Sequence, residues 1–325
     1  MNILQQCSDE KSHKSVPQQS SLMPHAKIRC IHHKSNREQR MDKSSNHNVI
    51  YAVIGVLVVI VLFAVLVIAR SPSVKTTKNS ITDHMTTNTL GSTPAPASIA
   101  NDVASVSTAT LDSVGIGSAK VLPHAISATA LTQNAKPEIL YEGAEYCPFC
   151  ATERWPIAVA LARFGTFQNL RVTHSSTTDV YPNTQTLSFY HATYTSQYVS
   201  FDPIEIYTNI PAAQGYTSLQ TPTAAENRIV STYDNQPYLP SADAGSIPFI
   251  DFGNKALIAG ATYDPSLLAG KSLSQIAGSL NTPSSPIAKG VDGAANTITA
   301  TICKLTNNQP AAVCSSTIQS IEGSV

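Results

Sequence analysis

Residues 138–165 read EILYEGAEYCPFCATERWPIAVALARFG, and the organisation of the chain turns on them. Glu138 to Glu142 is a short apolar-centred run ended by Gly143, the pattern of a buried strand. Cys147-Pro148-Phe149-Cys150 follows, and an Ala- and Leu-rich run then extends to Phe164. Pro148 suits the first turn of a helix, where its missing N–H is not needed. Gly165 is expected to end that helix, and Pro156 to bend it or shift its start. Cys147 then falls at or near the N-cap. Unpaired N–H groups and the positive end of the helix dipole favour an anion there. The thiolate is the nucleophile in disulfide exchange, so this position activates Cys147. Cys150, one turn further in, is placed to resolve a mixed disulfide.

Working outward, Leu170–His174 reads as a second strand. Residues 175–223 add many aromatics, among them Tyr181, Phe189, Tyr190, Tyr194, Tyr198, Phe201, Tyr207 and Tyr216. Alternation in Thr186–Tyr190 and Tyr198–Ile206 predicts an added hairpin. These rings could form core or a wall beside the dithiol, and burial of large areas favours core. Ala224–Thr232 is a helix candidate. Ser246-Ile-Pro248-Phe-Ile-Asp-Phe-Gly-Asn254 then leads through a Gly-Asn turn into Lys255–Ala259, a hairpin pattern. Lys271–Leu280, Ile287–Leu305 and Pro310–Ile321 read as helices. Cys303 and Cys314 flank the last turn and suit a structural disulfide, with a second redox pair as the alternative.

Strand, Cys-x-x-Cys and helix, followed about 100 residues later by a proline at the head of a strand, resembles the thioredoxin-like superfamily. That resemblance implies an α/β fold with a central mixed sheet flanked by helices. Here it would carry an inserted hairpin region and extra C-terminal helices, preceded by one transmembrane helix. It implies catalytic roles for Cys147 and Cys150 and a cis bond before Pro248. Ile247 would offer its backbone to an extended client, with Pro148, Phe149 and Tyr146 supporting the site. Gly143–Trp155, Arg163–Phe167 and Asp179–Asn183 further resemble an uncharacterised prokaryotic family of membrane-anchored proteins, domain of unknown function 929. The Pro-Phe dipeptide departs from the Gly-Pro of thioredoxins. Tyr141 stands where a buried acid is common, six residues before Cys147. Glu142 and Glu145 are close by, but Glu142 should face the other side of the strand from Tyr141.

Val49–Ala69 is 21 residues without a charge, the length a helix needs to cross a bilayer. Lys27, Arg29, Lys34, Arg37, Arg40 and Lys43 precede it and only Arg70, Lys75 and Lys78 follow closely, so a cytoplasmic N-terminus is expected. Residues 1–48 are polar and without periodicity, a disordered tail. Met41 is an alternative start that would give a short signal-anchor layout. Residues 70–118 are rich in Ser and Thr and hold no aromatic residue, the composition of a flexible spacer. The extracytoplasmic domain is expected over residues 119–325.

Only 13% of residues are charged and the net charge is zero, with no basic stripe, so nucleic-acid binding is not indicated. The sequence thus points to a membrane-anchored extracytoplasmic thiol–disulfide oxidoreductase acting on exported proteins, without a cofactor. A single span carries no electrons, so a membrane redox partner is implied. Two alternatives compete. One is a copper- or zinc-binding protein with His174 or His191 as a third ligand beside the cysteines. The other is a cell-surface binding module whose disulfides are only structural.

Overall fold

A computed structural model describes residues 91–325. The expected tail 1–48, the span 49–69 and the alternative start at Met41 lie outside the described residues. Among those described, no helix is long and apolar enough to cross a membrane.

In chain order, Thr93–Pro94 (β1) leads to helices Ala97–Ala104 (α1) and Thr108–Val114 (α2). Two short strands, His124–Ala125 (β2) and Thr132–Gln133 (β3), precede Lys136–Gly143 (β4) and helix Pro148–Ala162 (α3). The middle of the chain is strand-rich: Gly165–Gln168 (β5), Arg171–His174 (β6), Gln185–Ser188 (β7), Thr193–Ser196 (β8), Ser200–Glu205 (β9), Tyr207–Pro211 (β10) and Tyr216–Ser218 (β11). Helix Ala224–Tyr233 (α4) returns the chain to Phe249–Phe252 (β12) and Ala256–Ala259 (β13). Helices Leu273–Ser279 (α5), Pro286–Leu305 (α6) and Ser316–Glu322 (α7) close the domain.

The main sheet is mixed. β4 runs parallel to β9, with Gly143 opposite Glu205, and antiparallel to β12 on its other side. β12 turns through Gly253 and Asn254, both at positive φ, into antiparallel β13. Such backbone is what a tight hairpin requires and what Gly and Asn tolerate. Helix α3 connects the parallel pair and is buried on nearly every side, so it shows no polar face. It packs on α6, which is equally buried, and together they form the helical centre of the core.

Several expectations from sequence are corrected by this topology. Thr186–Tyr190 and Tyr198–Ile206 do not pair with each other. β7 pairs with β6 in a small sheet that also holds β1, and β9 joins the main sheet as the parallel neighbour of β4. Alternation marks a strand, but its partner is chosen by what the crossover helix can reach. The spacer expected over 70–118 is folded from residue 91 on. Ile99, Val103 and Leu111 are buried in the core. Asn296 on α6 donates to the carbonyls of Leu111 and Gly115, 2.7 Å each, and so satisfies the end of α2. The domain therefore begins well before residue 119.

Pro156 neither ends nor delays α3, which is continuous from Pro148 to Ala162. A proline there removes the N–H that would serve the Thr152 carbonyl. The Tyr263 hydroxyl takes its place, donating to Thr152 O at 3.0 Å. The expected helix over Pro310–Ile321 is shorter, beginning only at Ser316. Cys303 and Cys314 are joined in a disulfide that ties α6 to the segment before α7.

Candidate active site

β4 ends at Gly143, where a side chain would collide with the Tyr141 hydroxyl. This close approach explains the glycine. The chain then turns through Ala144–Tyr146 to Cys147, which is the N-cap of α3 with extended backbone (φ −76°, ψ 125°). Pro148 occupies the first helical turn. The Cys150 N–H donates to the Cys147 sulfur at 3.2 Å. The sulfur is thus an N-cap acceptor, a role that favours its anionic form.

The second half of the site arrives from β12. The peptide bond between Ile247 and Pro248 is cis. The Cys147 thiol donates to the Ile247 carbonyl at 3.6 Å. Two segments 100 residues apart in sequence thus meet at one sulfur. Cys147 keeps 4% of its surface exposed and Cys150 none.

A cavity of about 410 Å³ is lined by Phe149 and Ile247, together with Val121, Ala259 and Tyr263, among others. Phe149 is 40% exposed and packs perpendicular to Tyr181. Tyr146, which precedes Cys147, stacks on Tyr216, ring centroids 4.2 Å apart, and Tyr207 stands beside them. The Tyr216 hydroxyl donates to Ser176 Oγ at 2.6 Å, which anchors the stack. The aromatics of the middle region therefore divide. Phe189, Tyr194 and Phe201 pack with Phe167 in the core. Tyr181 packs on Phe149, and Tyr207 and Tyr216 on Tyr146, the two aromatic neighbours of Cys147 in sequence.

Beneath the thiols lies a buried polar group of side chains. Arg154 Nε and Nη2 donate to the two carboxylate oxygens of Glu205, 2.8 and 2.6 Å away, and both side chains are fully enclosed. Glu205 also accepts from the Phe189 N–H at 3.3 Å. Tyr141 is wholly buried, packed edge-on against Phe189. Glu145 is buried too, and accepts from the Ser188 hydroxyl at 2.6 Å. Glu142, on the opposite face of the strand from Tyr141, has its carboxyl raised above the ordinary value by burial and then by the charges of Asp234 and Glu226.

The two thiols are driven apart. Cys147 is lowered below the ordinary thiol value, first by the Cys150 thiol as a hydrogen-bond donor. Burial opposes this, while the Cys150 N–H and the Arg154 charge assist it. Cys150 is raised well above the ordinary value, mainly by burial and then by its neighbour Cys147. Burial also pushes Glu145 up to about 7, against the Ser188 hydrogen bond. Such a pair gives one nucleophile held ready and one proton-bearing thiol held in reserve.

Of the residues singled out from sequence, the structure brings Cys147, Cys150, Pro148, Phe149, Tyr146, Ile247 and Pro248 together. His174 and His191 do not complete a metal site with the cysteines. Among the described residues no three His, Cys, Asp or Glu side chains are grouped to hold a metal. Arg154 and Glu205 carried no assigned role from sequence. An arginine inside an apolar helix, four residues after Cys150, was a usable signal; Glu205, in another element, had none.

The fold and site define a class: a mixed α/β domain with a dithiol at the start of its central helix. More particularly, the chain belongs to the family described as "Domain of unknown function (DUF929)", whose model matches residues 123–304. No curated protein and no solved structure matches it.

Proposed function

We propose that this protein is a thiol–disulfide oxidoreductase of the thioredoxin-like superfamily, using the Cys147–Cys150 dithiol. The fold reading rests on sheet order. A strand, the dithiol helix and a parallel strand (β4, α3, β9) are followed by an antiparallel hairpin (β12, β13) on the other side of β4. The observation that carries the function is the convergence at one sulfur. Cys147 Sγ caps the helix, accepts the Cys150 N–H at 3.2 Å and lies 3.6 Å from the carbonyl before Pro248.

In the proposed cycle the Cys147 thiolate attacks a client disulfide, and Cys150 then displaces the client. Run in reverse, the oxidised pair donates its disulfide. The apolar cavity beside Phe149 and Ile247 suits an extended client segment, with backbone contact at Ile247. The uncharged segment Val49–Ala69 would anchor the domain outside the membrane. Its substrates would then be exported proteins, and a membrane redox partner would restore the dithiol. No cofactor is required by this chemistry.

The test is direct. Wild type should catalyse insulin reduction or oxidative refolding of a reduced protein, and Cys147→Ser should abolish it. Full activity in that variant would end the assignment. Cys150→Ala should accumulate a mixed disulfide whose client can be identified by mass.

A further inference from the structure

Cys150 must become an attacking sulfur while fully enclosed, and burial raises the cost of its ionisation. A compensating charge has to lie within the same enclosure. Arg154 follows Cys150 by four positions and Cys147 by seven. These spacings set all three on one face of α3. Its guanidinium is held as a fork: Nε and Nη2 are clamped by Glu205, and Nη1 is buried with no hydrogen-bond partner. The adjoining Tyr141 hydroxyl is also buried and unpartnered. A native ion pair with a spare N–H is unusual, because an unmade buried hydrogen bond is destabilising. It makes sense where charge develops only during reaction.

We infer that Arg154, clamped by Glu205, is a positioning residue that stabilises the thiolate states of the Cys147–Cys150 pair. This rests on the oxidoreductase reading above. In the resolving step the Cys150 S–H proton passes to the departing client sulfur. The Cys150–Cys147 bond forms, the Cys147–client bond breaks, and the client disulfide has gained two electrons from the dithiol. Arg154 supports the sulfur that carries negative charge at each stage. Its field reaches both thiols and Tyr141. Facing groups are Tyr141 from β4, Glu145 from the turn before Cys147, and Glu205 from β9. Glu205 holds the guanidinium in place. Glu145 is itself affected by both Glu205 and Arg154.

The pair allows a test of sign. The full-length protein is compared as wild type, Arg154→Met, Glu205→Gln and the double variant. The thiolate of Cys147 is titrated by ultraviolet absorbance, and the dithiol is equilibrated with glutathione buffers. Arg154→Met should raise the Cys147 pKa and favour the disulfide by tenfold or more, about 30 mV more reducing. Glu205→Gln should shift both readings the opposite way, because it leaves the cation unbalanced. Loss of fold quality alone would not produce opposite signs. The double variant leaves no lone buried charge and should fall between the two single variants in both readings. Shifts of one sign in both single variants, or a double variant outside the interval they bracket, would overturn the inference. A wild-type dithiol that never exchanges with glutathione would instead bring down the oxidoreductase reading, and this inference with it.

Discussion

Replacing Asp292 with Asn should remove a large part of the domain's pH dependence. Asp292 lies on α6 with no exposed surface, and neither carboxylate oxygen has a hydrogen-bond partner. Burial alone pushes it from 3.8 up to about 8. The sign follows from linkage. In the unfolded chain Asp292 ionises near its ordinary value, whereas in the fold it keeps its proton to much higher pH. Between those values the native state holds one more proton, so stability falls as pH rises. The slope for one proton is about 1.4 kcal/mol per pH unit. From pH 4.5 to 7.5 that amounts to about 4 kcal/mol, a large share of the ~5–15 kcal/mol that a domain has. Glu153 acts in the same sense. It is buried on α3, accepts from Thr262 N and Oγ1, and is pushed up to about 8. Urea unfolding of the full chain can be followed by its single tryptophan, Trp155, which is buried in α3. Wild type should be more stable at pH 4.5 than at 7.5. Asp292→Asn should reduce the slope by about 1.4 kcal/mol per unit. Parallel pH profiles for the two proteins would refute the argument, since Asp292 would then be ionised in the fold.

Three other outcomes are expected. Brief iodoacetamide treatment of the reduced protein near pH 7 should label Cys147 and spare Cys150, read by peptide mass spectrometry, because of these two only Cys147 has a lowered pKa and any exposure. Tyr263→Phe should cost about 1–2 kcal/mol by orphaning the Thr152 carbonyl, and the cost should shrink in a Pro156→Ala background, where the helix regains its own N–H. Asn296→Ala removes two donors to the end of α2, so limited proteolysis should cut faster within residues 105–118 while dithiol reactivity is unchanged.

The sequence alone determined the local part of this protein. A strand ending in glycine, a cysteine where a helix begins and a proline inside its first turn are features of neighbouring residues. The same holds for the Gly-Asn turn after Phe252, which needs positive φ at two adjacent positions. Backbone preferences and capping act over a few residues, so these could be read directly. Tertiary structure decided the rest. It made β9 the parallel partner of β4 instead of half of a hairpin, drew α2 onto α6, and filled the gap left by Pro156 with Tyr263. Above all it set Glu205 against Arg154 across 51 positions of chain. No local pattern encodes such a pair. It exists only where the fold lays α3 against the end of β9 and encloses both side chains. Outside that enclosure each charge is better solvated by water than by the other.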